Sequence, residues 1–330
     1  MLKVIFMKGD MMPAIRSLLP LMIILAVLPL AAASAQDEGS PDPSAYTGLK
    51  EKFDGAMEAG DYPAAVKIAD EMDNVIWPLQ WEAMYSTARA HSLAGDRRKA
   101  YEYLYWAIDS GYWDAKTMME DDAFAGIREE DLFRKLARKA RANGYIWMLE
   151  REGREEFQKP EQVMKAFGLR PGMKVADVGC GSGYFTVKIA REIGPDGKVW
   201  AIDAWQDMLD YLERRLLIEG LDNVELVKVE RDDPRIPKGA ADMILMVDVY
   251  HYITERVAYG EKLREGLAPG GRLIVIDYIP RSLEERPWGP PPSQHLSEAD
   301  LTADLEKAGL KKVGEHDFLP EQYFTVYQAK

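Results

Sequence analysis

Between residues 175 and 186 the chain reads Val175-Ala176-Asp177-Val178-Gly179-Cys180-Gly181-Ser182-Gly183-Tyr184-Phe185-Thr186. A hydrophobic strand ends in an acid, glycines then fall at every second position, and a helix opens. Glycines there let the backbone pass close beneath a ligand, and a helix N-terminus offers unpaired amides. The sequence that follows keeps alternating. Strands are expected near 173–178, 198–203, 224–229, 241–248 and 271–277, with helices between them. A helix over 297–308 and a last strand at 324–327 close the chain. Alternation of this kind requires a largely parallel sheet with helices on both faces.

The spacing of the glycines narrows the ligand. A dinucleotide fingerprint G-x-G-x-x-G starting at Gly179 needs glycine at 184, where the chain has Tyr184. Starting at Gly181 it needs glycine at 186, where the chain has Thr186. A nucleoside ligand without pyrophosphate fits better. Asp203 ends the second strand, where a carboxylate accepts both hydroxyls of a ribose. Asp232-Asp233 follows the third strand, and Asp233 is read either as a partner of an adenine amino group or as part of a turn. Asp248-Val249-Tyr250-His251-Tyr252 lies at the carboxyl edge of the fourth strand, where open α/β sheets bind ligands. His251 is read as a general base or as a histidine that supports its own loop.

Residues 157–280 resemble class I S-adenosylmethionine-dependent methyltransferases, in particular the group that includes the ubiquinone- and menaquinone-biosynthesis enzymes. The matching stretches are the loop 177–183, Trp200-Ala201-Ile202-Asp203, Ala241-Asp242-Met243-Ile244-Leu245 and Leu267-Ala268-Pro269-Gly270-Gly271-Arg272-Leu273. The resemblance implies a Rossmann-like doubly wound sheet, mostly parallel with an antiparallel last strand, that binds S-adenosyl-L-methionine. It implies that Asp177, Gly179, Gly181 and Gly183 frame the methionine end of the cofactor and that Asp203 holds the ribose. Asp233 would then lie near adenine, and Asp248 would border the position of methyl transfer, beside His251. Two other classes are weighed against this one: a non-catalytic cofactor-binding scaffold and a nucleotide-dependent oxidoreductase.

The N-terminal half has a different texture. Residues 1–35 resemble a signal peptide, with Arg16 before an apolar stretch at 18–33 and small residues at Ala33-Ser34-Ala35. That predicts an exported protein, periplasmic or secreted, or one anchored by an uncleaved signal. A polar linker at 36–44 leads into a helical region at 45–145. Within it Ala59-Gly60-Asp61 recurs as Ala94-Gly95-Asp96, and Ala65 recurs as Ala100, a period close to the 34 of tetratricopeptide repeats. An all-α, tetratricopeptide-like region is therefore expected there, with a separate methyltransferase domain over 146–330. A cluster of aromatics, Tyr101, Tyr103, Tyr105, Trp106, Tyr112 and Trp113, suits either a core or a groove for a protein or peptide partner.

Composition removes several other functions. The net charge is −13, and loss of residues 1–35 takes away three cations and one anion, leaving −15, so nucleic acid is not an expected partner. One cysteine, Cys180, allows no internal disulfide, and four scattered histidines show no zinc spacing, so no metal is expected. The acceptor is expected to be a small molecule.

Overall fold

The computed structural model describes residues 43–330 apart from 152, 283, 287 and 288. The expected signal peptide and most of the linker lie outside the described residues. Among the described residues no helix is long and apolar enough to cross a membrane.

Among the described residues five α-helices come first: α1 (Pro43–Glu58), α2 (Tyr62–Leu93), α3 (Arg97–Asp109), α4 (Ala115–Glu120) and α5 (Asp131–Glu150). The echo in the sequence is one junction built twice. Gly60 and Gly95 adopt φ of 70° and 77°, conformations open to glycine, and the following Asp61 and Asp96 cap the next helix by accepting from Ala64 and Lys99 amides. Between the two junctions runs the single 32-residue helix α2, where a 34-residue helical repeat calls for two helices and a turn. Pro78 sits inside α2 and removes one backbone donor from it. The aromatic cluster divides. Tyr112 is buried and stacks on Tyr85 at 4.4 Å, whereas Tyr105, Trp106 and Trp113 stay exposed.

Two short helices, α6 (Gly153–Gln158) and α7 (Pro160–Phe167), lead into the sheet. There β1 (Lys174–Val178), α8 (Tyr184–Ile193), β2 (Lys198–Asp203), α9 (Gln206–Glu219), β3 (Val224–Lys228) and β4 (Ala241–Val247) follow in turn. They are succeeded by α10 (Arg256–Gly266), β5 (Leu267–Tyr278), α11 (Glu298–Lys307), β6 (Leu310–His316) and β7 (Gln322–Ala329). The seven strands lie in the order β3-β2-β1-β4-β5-β7-β6. β1 to β5 pair in parallel, and β7 runs antiparallel between β5 and β6.

Each expected strand is present, and β6 is an addition. Its side chains Lys311, Lys312, Glu315 and His316 give it no apolar alternation, which suits an edge strand shielded by charge. β5 opens at Leu267, four residues before the strand expected at 271–277. Its ladder to β4 jumps from Ala241↔Leu267 to Met243↔Arg272, so 268–271 bulges out.

Alternate residues of β1 feed cores on the two faces: Ala176 and Val178 on one, Val175 on the other. Chain order reverses between β1 and β4, which opens a crevice at their carboxyl ends. α5 crosses that crevice. Glu150 bonds Arg215 of α9 at 2.7 Å, and Leu149 rests on the glycine loop. The expected boundary at residue 145 thus falls inside one unbroken helix.

Candidate active site

β1 carries Asp177 into the interior, where Thr186 of α8 donates to it at 2.5 Å. Burial, followed by the nearby Asp203 charge, raises the Asp177 carboxyl to about 6, and the Thr186 hydrogen bond opposes the rise. The chain then turns through Gly179, Gly181 and Gly183, with φ of 73°, 54° and 82°. Space excludes a side chain as well as dihedral angle. A Cβ on Gly181 would lie 2.9 Å from Leu149, and one on Gly179 would collide with Val249.

At the end of β2, Asp203 accepts from the amide of Gly181 through one carboxylate oxygen and from that of Trp205 through the other, each at 2.8 Å. Burial raises its carboxyl, and these backbone bonds oppose the shift. The Ala204 amide also bonds it, and a carboxylate has about four lone-pair positions, so about one remains for a ligand.

Asp248 follows β4 directly, in the left-handed region at φ 58°. It is held by a buried relay. Arg154 donates to Gln158 at 2.5 Å, Gln158 to Gln322 at 3.2 Å, and Gln322 to Asp248 at 2.5 Å. Burial and the Asp277 charge raise the Asp248 carboxyl to about 6, against the pull of Arg154 and Gln322. Tyr278 also hydrogen-bonds Asp248.

These groups surround one cavity of about 500 Å³, within the range of small-molecule sites. Asp177, Gly179, Gly181, Asp203 and Asp248 all line it. Gly183 does not; it caps α8 from the outside of the loop, against Leu212. Tyr184 also lines the cavity, and its buried hydroxyl has no partner among the described residues. Arg154 stacks its guanidinium over the Tyr184 ring at 4.2 Å. From the helical half come Leu149 and Tyr145, and the Tyr145 hydroxyl bonds Tyr252 across the crevice.

A model of a methyltransferase domain matches residues 169–315. A solved S-adenosylmethionine-dependent methyltransferase from Aquifex aeolicus is 33% identical, with a TM-score of 0.51, and the match covers 56% of this chain and 96% of that one. The chain belongs to the S-adenosylmethionine-dependent methyltransferases. Among curated relatives, the ubiquinone/menaquinone biosynthesis C-methyltransferase of Hahella chejuensis is 31% identical over 34% of this chain and 45% of its own length. The demethylmenaquinone methyltransferase of Geobacillus stearothermophilus is 24% identical over 38% and 53%. The chain spans about half the length of these relatives.

Besides Gly183, two expected residues of the methyltransferase site lie off the cavity wall. Asp233 is off the cavity wall; its carboxylate accepts from the Arg235 amide at 2.8 Å and lies 3.5 Å from Lys262, so it shapes its own turn. Glu230 and Arg231 take the wall position after β3. His251 is also off the wall, buried behind Tyr252 with ring centroids 4.0 Å apart. Its Nδ1 lies 2.7 Å from Asp277, which also accepts from the His251 and Tyr278 amides.

Asp277, Arg154 and Gln322 escaped the sequence reading. Asp277 had a signal, an acid ending the apolar run Leu273-Ile274-Val275-Ile276 just as Asp177 ends β1. Arg154 and Gln322 stand 168 positions apart in the chain numbering, and no local pattern joins them.

Proposed function

We propose that the chain moves the methyl group of S-adenosylmethionine to a small-molecule acceptor that enters beneath α5, beside Asp248. The observation that supports this most is the meeting of Asp203, the glycine loop and Asp248 around one cavity. The residues present fit the cofactor. The acceptor capacity that the backbone amides leave on Asp203 suits a ribose hydroxyl, and Ile202, Met208, Val229 and Ile253 give an apolar wall for a base. Arg154 is a buried cation of the cavity wall that suits the cofactor's carboxylate, and the unpaired Tyr184 hydroxyl offers a further polar partner.

Bound there, the cofactor supplies a methyl group made electrophilic by the adjoining sulfonium. The residues then have three tasks. Asp203 and Arg154 hold the two ends of the ligand and so fix its axis. Asp248, steadied by Gln322, places a carboxylate at the end of β4, where a positive centre is favoured once the group is ionised. Tyr145, Leu149 and Tyr252 cover the crevice and exclude water. Alignment and desolvation are then the main sources of rate, and His251 serves by holding its loop through Asp277.

Incubation with trideuteromethyl S-adenosylmethionine and a small-molecule extract tests the reading. Label appearing in one compound, together with S-adenosylhomocysteine, is expected; tight cofactor binding with no label in any compound opposes it. The segment 1–35 is proposed as an export signal, which N-terminal sequencing of the fractionated protein tests.

A further inference from the structure

Four residues of α5 line the cavity: Arg138, Arg141, Tyr145 and Leu149. Their spacing of three, four and four puts them on one helical face. The stripe has a direction. Leu149 rests on the glycine loop, Tyr145 packs on Trp205 with ring centroids 5.6 Å apart and bonds Tyr252, and the arginines continue outward. At 1.5 Å of rise per residue, Arg141 and Arg138 stand roughly 6 and 10 Å beyond Tyr145 along the helix axis. Arg231, in the loop after β3, lines the same cavity.

None of these three arginines has a hydrogen-bond or ion-pair partner among the described residues. The contrast lies on the same helix. Arg134 pairs with Glu129 and Lys139 with Asp109, both away from the cavity. In a chain of net charge −13, acids are abundant, and Glu230 lines the same cavity, yet the three guanidinium groups have no ion-pair partner among the described residues. Arg138 and Arg141 sit at i and i+3, where like charges repel. A forked guanidinium is suited to a carboxylate or phosphate, which it grips through two parallel hydrogen bonds.

We infer that the acceptor is an elongated anion, its carboxylate or phosphate held by Arg138 and Arg141 while its reacting end reaches Asp248. This rests on the methyl-transfer reading and names the substrate class for that site. The helical half of the chain then selects the acceptor, and the sheet half binds the cofactor.

The test uses the full chain saturated with S-adenosylhomocysteine, whose own titration comes first. Three probes are titrated into that complex: 4-(4-hydroxyphenyl)butanoate, its neutral methyl ester, and the phosphate monoester of 4-(4-hydroxyphenyl)butanol. At least one anion should bind about tenfold or more tightly than the ester, with an advantage that shrinks as salt is added. The acid and phosphate arms separate the two kinds of anion. The double variant Arg138→Ala/Arg141→Ala should abolish the preference and leave S-adenosylhomocysteine affinity unchanged. Equal binding of all three probes, or no binding by either anion, overturns the inference. So does a double variant that loses S-adenosylhomocysteine instead, since the arginines would then serve the cofactor. A wild-type chain that fails to bind S-adenosylhomocysteine strikes at the methyl-transfer reading itself, and is seen before any probe is added.

Discussion

Asp177 and Asp248 face the cavity as carboxyls that burial keeps partly protonated, each raised to about 6 from 3.8. Between about pH 4 and 6 the folded chain holds protons that the unfolded chain has released, so these two groups lower stability as pH climbs through that window. A sulfonium beside them favours their ionised form. Affinity for S-adenosylmethionine relative to the neutral thioether S-adenosylhomocysteine should therefore rise at least about threefold from pH 5 to 7 and then level off. Paired titrations at each pH check this, and a flat ratio would separate the two acids from the sulfonium. His251 belongs to the same scale. Its ring fills a buried place against Asp277, so His251→Ala leaves a buried carboxylate short of a partner and should lower stability by about 1–3 kcal/mol. Denaturant unfolding measures this. A variant of wild-type stability that turns over roughly a hundredfold more slowly would return His251 to the role of general base.

Among the elements, α5 is the one whose function its own sequence conceals. The motif at 175–186 was legible because a strand, an acid, three glycines and a helix fall within twelve residues and obey local rules. The strands of the sheet were legible for the same reason. α5 reads as an ordinary amphipathic helix, and only tertiary structure lays its Leu149 on Gly181. The period near residues 60 and 95, which suggests a tetratricopeptide-like repeat, is one helix junction built twice, and the composition of α2 gives no sign that one helix runs through Pro78. A double-mutant cycle tests the packing of α5 on the loop. Gly181→Ala should lose about 1–3 kcal/mol from its positive φ and the contact with Leu149. Adding Leu149→Ala should recover part of that loss, a coupling of at least about 0.5 kcal/mol. Strict additivity would mean that helix and loop do not touch in solution.

At the scale of the whole molecule, two halves of different texture make one site. The sheet half supplies Asp177, Asp203 and Asp248, and the helical half supplies Tyr145, Leu149 and the rim of arginines. The residues bearing on the cofactor were mostly readable in sequence because they sit at strand ends, where chain order dictates position. Those brought in from distant segments were not, because residues such as Arg154 and Gln322 are joined, through Gln158, only after folding. Together the halves form a cavity expected to bind S-adenosylmethionine through the carboxylate at the end of β2. Calorimetric titration of the folded full-length chain and of Asp203→Ala tests it most directly. One cofactor per chain is expected for the wild type, with no response to NAD. The variant should bind more weakly by about 1–3 kcal/mol, the range for leaving buried polar partners unsatisfied. A folded Asp203→Ala chain with unchanged affinity, or a wild type that binds NAD and not S-adenosylmethionine, would contradict the account.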